Sequence, residues 1–163
     1  MPHQVYIAIG SNLGNKKENY LESLVRIAKL PKTRIIKESS VYESEPLGDS
    51  KDWYVNGVIE IETEFKPEML LKKLKNIERA MGRKKVRKRW RARIMDLEIL
   101  LYDTAVVNKK NLKIPHPEMH ARKFVLVPLS EVAPQVIHPL LQATISELLV
   151  TLKDDKRVSL FRL

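Results

Sequence analysis

The order in which two hydrophobic periodicities alternate along the chain constrains its fold more than any other feature. Apolar residues recur at every second position where a strand is predicted, and at every third or fourth position where a helix is predicted. The first hundred residues give strand, helix, strand, strand, helix and strand. This βαββαβ order is typical of a ferredoxin-like α+β core, an antiparallel sheet flanked by helices, and we predict one domain over residues 1–163.

The same patterns give bounds for the elements. The core strands are predicted at 5–9, 34–41, 54–62 and 94–102, and the core helices at 20–28 and 67–81. The segment 42–52 is rich in turn-forming and polar residues and is predicted to be a flexible loop. A C-terminal elaboration follows, with a ribbon over 106–114, helices over 124–132 and 144–152, and a strand over 158–161.

Composition narrows the class of protein. The chain has 163 residues, of which 44% are hydrophobic and 31% charged, as in a globular protein. It contains no cysteine, which excludes a disulfide framework, a cysteine nucleophile and cysteine-based metal ligation. The sequence shows no basic leader and no apolar run near the roughly 18 residues that span a bilayer, so we expect a soluble, cytoplasmic protein without a membrane partner.

Positive charge is concentrated in one segment. The net charge is +10, and residues 82–93 hold eight cations and no acid. The cations are Arg83, Lys84, Lys85, Arg87, Lys88, Arg89, Arg91 and Arg93. A local field of this kind predicts an anionic partner, most simply the phosphates of a nucleotide or of a nucleic acid.

Two acids follow directly on this segment. Asp96 and Glu98 are two residues apart on a predicted strand, so their side chains project from the same face. Like charges at that separation repel unless a cation lies between them. Mg²⁺ accepts one or two protein carboxylates and completes its shell with water and phosphate oxygens. The alternative is that both acids face solvent and pair with surface lysines.

Two functions remain open at this point. In the first, the basic segment binds the phosphates of a nucleotide, which a metal ion at Asp96 and Glu98 would bridge. In the second, it binds the backbone of RNA, and a base stacks on Trp90. Acids within a nucleic-acid-binding face repel the ligand, and aromatic residues are few. These features favour an enzyme acting on a nucleotide, with a basic ferredoxin-like RNA-binding module as the alternative.

Five segments taken in order carry a resemblance to a known family. They are YIAIGSNLG, SSVYESEPLG with the following WYVNGV, IERAMGR, KRWRARIMDLEILLYD, and IPHPEMHARKFVLVPLSEVAP. Together they resemble the 6-hydroxymethyl-7,8-dihydropterin pyrophosphokinases (HPPK) of folate biosynthesis. The resemblance implies transfer of pyrophosphate from ATP, the co-substrate, to the hydroxymethyl group of the pterin, with release of AMP. It also implies two Mg²⁺ ions, a monomer and no nucleic-acid partner.

The resemblance implies roles for residues of the nucleotide and metal site. Asp96 and Glu98 match the two metal-binding carboxylates. The basic positions that hold the triphosphate, in the catalytic loop and at the start of the strand after it, are matched by Arg83, Lys85, Arg89 and Arg93. Trp90 matches the residue that closes over the site. Arg83 and Arg93 are expected to act in catalysis with the two carboxylates. Contacts to the nucleotide or its phosphates are matched by Glu78, His116 and Arg122.

The pterin site follows from the same resemblance. Tyr54 and Phe124 match the two positions that stack on the flat ring, and Asn56 matches the amide that reads its edge. Backbone groups of the turn from Ser44 to Leu47 complete the edge. Without the resemblance, the favoured interpretation of both aromatic residues would be that they are ordinary core side chains.

Three departures from the family pattern bear on these roles. Glu98 stands where aspartate is commoner, and its extra methylene moves the carboxylate outward. Arg91 and Ala92 replace the more usual Gly-Pro in the basic loop. Ala121 stands where many members carry glutamate, which removes a possible partner of Arg122.

Two further patterns have simpler explanations. His116 and His120 are four residues apart, which invites a zinc site, but Pro117 interrupts a regular helix there and a third ligand is missing. Gly10 and the residues after it supply turn and helix-cap chemistry rather than a dinucleotide fingerprint, although the family places this segment beside the pterin pocket.

Overall fold

The computed structural model describes residues 1–46, 52–82 and 94–162. The elements of the first half are β1 His3–Ser11, α1 Lys16–Ala28, β2 Thr33–Glu38, β3 Tyr42–Ser44, β4 Tyr54–Thr63 and α2 Pro67–Ala80. The second half has β5 Asp96–Tyr102, β6 Val107–Lys109, β7 Leu112–Ile114, a 3₁₀ turn Met119–Ala121, α3 Lys123–Val132, α4 Ile145–Thr151 and β8 Val158–Leu160.

Six of these strands form one antiparallel sheet. Its order is β5-β1-β4-β3-β8, and β2 pairs with β4 beside β3. A separate hairpin joins β6 to β7. The predicted antiparallel sheet with flanking helices is confirmed, and β5 lies at one edge of it.

The second predicted strand is interrupted. β2 ends at Glu38, and β3 begins at Tyr42 inside the segment predicted to be a loop, so that part of the prediction is wrong. Ser39 causes the break: its backbone N–H donates to Val58 O at 2.9 Å, and its hydroxyl accepts from Val58 N at 2.9 Å. Because one side chain takes the place of a strand partner, the chain turns there and resumes pairing with β4 three residues later.

Hydrophobic cores lie on both faces of the sheet. Residues of α1 and α2, among them Tyr20 and Leu74, pack on one face. The other face is covered by α3 and α4. The face of β4 that carries Asn56 and Glu60 is therefore buried, although both residues are polar, and each is only 6% exposed. Glu60 is satisfied there because the hydroxyl of Tyr6 donates to its carboxylate at 3.0 Å.

Local signals explain where the helices begin. The side chain of Asn15 accepts from the backbone N–H of Glu18 and caps α1. Pro67 occupies the first turn of α2, where its missing N–H costs nothing. Thr144 and Glu147 form a capping box at the start of α4. Across the described ranges, no helix is both long enough and apolar enough to cross a bilayer.

Candidate active site

A row of residues in register crosses the sheet at the carboxyl end of β1. Gly10 pairs with Asp96 of β5 on one side and with Asn56 of β4 on the other. Asn56 in turn pairs with Tyr42 of β3. Residues directly opposite in antiparallel strands share a face. The predicted metal ligands Asp96 and Glu98 and the predicted pterin-binding residue Asn56 therefore lie on one face of the sheet. Gly10 lies between Asp96 and Asn56.

The two predicted metal ligands lie on the same face of β5. Asp96 and Glu98 are both half-buried. Nε2 of His116 lies 3.0 Å from Oε2 of Glu98, and Nη1 of Arg122 lies 3.9 Å from the same oxygen. Burial raises the pKa of Glu98, but the hydrogen bond from His116 and the charges of His116 and Arg122 outweigh it, so this pKa lies below its ordinary value.

The hydrogen bonds of His116 fix its tautomer. When the ring is neutral, its Nδ1 accepts from the backbone N–H of Glu118 at 3.1 Å. The proton of the neutral ring is therefore assigned to Nε2, which donates to Glu98 at 3.0 Å in the neutral and in the charged ring. His116 thus presents an N–H donor toward the acidic pair even when the ring is neutral.

Arg122 connects the acidic pair to the predicted stacking ring. Its guanidinium forms an ion pair with Glu118, lies within reach of Glu98 and sits 5.6 Å from the centre of the Phe124 ring. Ala121 offers Arg122 no carboxylate, but Glu118, one turn earlier, supplies an acidic partner.

The donor set fits magnesium. Two adjacent carboxylates provide the hard oxygen ligands that Mg²⁺ takes from a protein, with waters and phosphate oxygens filling the remaining positions. Within residues 1–46, 52–82 and 94–162, no group of three or more His, Cys, Asp or Glu side chains could hold a metal. A structural zinc site needs about four ligands. His120, the other half of the zinc alternative, packs its ring edge-on against His138 instead.

The predicted pterin residues of β3 and β4 form a second cluster. The hydroxyl of Ser44 donates to Oδ1 of Asn56, which turns the amide Nδ2 toward Gly10. A Cβ added at Gly10 would lie 3.2 Å from that nitrogen and 3.9 Å from the Tyr54 ring. Glycine therefore keeps the surface between Asn56 and Tyr54 open to a flat ligand.

The sequence does not predict these two contributions. The resemblance implies a role for the backbone of Ser44, whereas its side chain orients Asn56. Turn and helix-cap chemistry is a sufficient explanation of Gly10 in the sequence, although a glycine within an apolar strand also signals close approach by a ligand or another chain. Because Gly10 pairs with Asn56, the close approach that this glycine allows is next to the predicted pterin-binding amide.

Phe124 lies over the same face of the sheet. It is half-buried in the first turn of α3 and packs against the core cluster that includes Val58 of β4. Together, α3 and the segment before it carry Phe124, Arg122 and His116 over the strands. The structure brings Asp96 and Glu98 together with these last two, and joins Phe124 to that group through Arg122.

The remaining predicted residues fall into two groups. Glu78 lies on α2 with its side chain 1% exposed and accepts a hydrogen bond from the backbone of β5. Six residues of the prediction lie outside the described residues: Leu47, Arg83, Lys85, Arg89, Trp90 and Arg93.

A family model identifies the chain. The model of 7,8-dihydro-6-hydroxymethylpterin-pyrophosphokinase (HPPK) matches residues 6–134, which include both clusters of the site. The chain belongs to the HPPK family. The RNA-binding alternative is not supported: the family is a different one, and α3 and α4 cover the sheet face that an RNA reader would expose.

Three relatives support the HPPK assignment, two of them of nearly the same length as this chain. The chain is 44% identical over 157 residues to 2-amino-4-hydroxy-6-hydroxymethyldihydropteridine pyrophosphokinase of Haemophilus influenzae, covering 95% of this chain and 96% of the relative. It is 41% identical over 141 residues to the Pseudomonas aeruginosa protein of the same name, covering 85% and 86%. The folic acid synthesis protein FOL1 of Dictyostelium discoideum is 40% identical over 94% of this chain, which spans 23% of that longer protein.

Solved structures show the same fold as this HPPK chain. A Plasmodium falciparum HPPK-DHPS crystal structure with pterin and p-hydrobenzoate superposes with a TM-score of 0.71 over 92% of this chain, at 16% identity. The chain spans 44% of that longer protein. At this identity the likeness concerns the fold.

Proposed function

We propose that this protein transfers the pyrophosphoryl group of ATP to 6-hydroxymethyl-7,8-dihydropterin, a step of folate biosynthesis. The hydroxymethyl oxygen attacks the β-phosphorus, the bond from that phosphorus to the oxygen bridging to the α-phosphate breaks, and AMP leaves with that oxygen. The hydroxyl proton goes to solvent. The observation that carries the proposal is the register that sets Asn56 and Asp96 on either side of Gly10.

The proposed pterin site uses one donor and two rings. Nδ2 of Asn56 donates to the edge of the pterin, since Ser44 occupies the other end of the amide. Tyr54 and Phe124 stack on the two faces of the bicycle. One side of the Phe124 ring is held by Arg122, so ring orientation is coupled to the phosphate side of the site.

The proposed phosphate and metal site uses the acidic pair and its neighbours. Asp96 and Glu98 hold two Mg²⁺ ions, which when bound supply positive charge against the phosphate oxygens and the charge that develops during transfer. His116 and Arg122 present N–H donors beside those carboxylates and orient the phosphates. Arg83, Lys85, Arg89, Trp90 and Arg93 are proposed from the family resemblance to grip and cover the triphosphate, and Leu47 to border the pterin.

The proposal extends to the context of the reaction. The chain acts as one domain with a ferredoxin-like core, as a monomer in the cytoplasm, on ATP and a reduced pterin without nucleic acid. The sheet order supports the ferredoxin-like assignment, since β2 and β3 together take the place of the second core strand beside β4.

The experiment is a product analysis. Protein, ATP, Mg²⁺ and the reduced pterin are mixed, and nucleotides are separated over time. We expect AMP and the pyrophosphorylated pterin in equal amounts, and neither product after chelation of the metal. Formation of ADP, or of AMP without pterin, would contradict the reaction. A matched control is Glu118→Gln, which loosens Arg122 but keeps both acids and should retain part of the activity.

A further inference from the structure

β5, the strand that carries the two acids, lies at the edge of the sheet. Among the described residues it pairs with β1 only, so alternate N–H and C=O groups of its backbone point away from β1. Leu97 lies between the two acids and is 2% exposed. A buried backbone N–H at this position needs an acceptor from outside the sheet.

Glu78 of α2 supplies that acceptor. Its Oε2 accepts a hydrogen bond from Leu97 N at 2.8 Å. The Glu78 side chain is 1% exposed, and Lys75 Nζ lies 3.4 Å from its Oε1. A carboxylate buried this deeply makes strong charge-assisted hydrogen bonds, and the geometry of the group that it holds is correspondingly well fixed.

We propose that Glu78 is a positioning residue that aligns Asp96 and Glu98 by holding the backbone between them. The direction of both carboxylates depends on the backbone at Leu97, since the three residues are consecutive on one strand. A shift of that N–H tilts both side chains together. The inference rests on the proposed function only because it takes Asp96 and Glu98 as metal ligands. It also changes the role expected for Glu78: instead of contacting the nucleotide, Glu78 holds the backbone of β5 through its hydrogen bond with Leu97 N.

The alternative is that Glu78 merely secures the packing of α2 on β5. Positioning and packing make different predictions for two substitutions. Glu78→Met keeps much of the volume but removes the acceptor oxygens, whereas Glu78→Gln keeps an oxygen for Leu97 N. Ile77→Ala is the control, because this neighbouring core residue of α2 is buried and has no hydrogen bond to β5 to lose.

The test measures metal binding rather than turnover alone. Mn²⁺ affinity is determined by electron paramagnetic resonance with saturating α,β-methylene-ATP, which cannot be cleaved at the proposed bond. Removing a partner that orients a metal ligand typically lowers metal affinity about 10- to 100-fold. We expect a loss of about tenfold or more for Glu78→Met, and retention within about threefold for both Glu78→Gln and Ile77→Ala. Nucleotide affinity in the presence of EDTA should be unchanged in all three.

Several results would overturn the inference. They are unchanged Mn²⁺ affinity in Glu78→Met, an equal loss in Ile77→Ala, or a fall in nucleotide affinity in EDTA, which would indicate direct contact. Should Glu78→Met fail to fold, a tenfold loss in Glu78→Gln alone would also refute it, and retained affinity there would support it. Failure of the proposed function would appear separately, as absence of AMP from the unaltered protein.

Discussion

Gly10→Ala is expected to weaken pterin binding while leaving the metal and nucleotide sites intact. The added methyl group would lie 3.2 Å from Nδ2 of Asn56, a distance at which one of the two groups must move. Asn56 cannot simply rotate, because Ser44 holds its Oδ1. The amide nitrogen is therefore displaced or covered at the point where we propose that it donates to the ring.

The size of the effect follows from the interaction that is lost. One hydrogen bond between neutral groups contributes about 0.5–1.5 kcal/mol net. A methyl group standing in the plane of the ligand adds to this loss, and a total of about 1.4 kcal/mol corresponds to a tenfold fall in affinity. The fold should tolerate the change, because the backbone at Gly10 is not left-handed and alanine in a strand interior is favoured over glycine by about 0.5–1 kcal/mol.

The assay is calorimetric titration of the pterin into protein with α,β-methylene-ATP and Mg²⁺. We expect about a tenfold weaker pterin Kd and a nucleotide Kd within twofold of the unaltered protein. Ile9→Val is the control, since Ile9 is buried on the opposite face of the same strand and its truncation should leave pterin binding unchanged. A pterin Kd within twofold of the original for Gly10→Ala would refute the geometry that we derive for Asn56.

Three other predictions concern catalysis, pH and packing. Asp96→Ala should lower the single-turnover rate at least about a hundredfold with an unchanged thermal unfolding curve, and full activity would remove Asp96 from the metal site. Burial, and then the charge of nearby His120, lower the pKa of His138, so the unfolded chain takes up its proton first. The free energy of unfolding should therefore decrease as pH falls below about 6.5, and His138→Gln, measured by urea denaturation at pH 7 and pH 5, should show a shallower decrease. Gly57→Ala would place a Cβ 1.9 Å from the hydroxyl of Tyr20, which is 1% exposed, and should lower the free energy of unfolding, measured in urea, by about 3 kcal/mol. A decrease below about 1 kcal/mol would mean that Tyr20 moves aside easily.

The sequence allowed the acidic pair to be predicted because its geometry is local. Side chains two apart on a strand share a face whatever else the chain does, and Asp96 and Glu98 do so in the structure. The helix starts were predictable for the same reason, since Asn15 and Pro67 act within one turn. These features need no knowledge of distant parts of the chain.

Features that depend on partners far along the chain were not predictable. The alternation in β4 indicates a polar face, yet α3, more than sixty residues later, buries Asn56 and Glu60. The break at Ser39 requires Val58 as a partner, and a serine in a strand-like run gives no warning of it. The burial of Glu78 likewise depends on β5, which follows it after the basic segment.

The spacing of the strands fixes the distance between the two proposed substrate sites. Neighbouring strands lie about 4.8 Å apart, so the backbones of Asp96 and Asn56, with β1 between them, are separated by about 10 Å. Backbone hydrogen bonds set this interval, and no side-chain exchange can lengthen it in small increments. Under the proposed function, alcohols whose hydroxyl projects much further from the bicycle than one carbon would overshoot the triphosphate, and the enzyme would discriminate by reach as well as by ring chemistry.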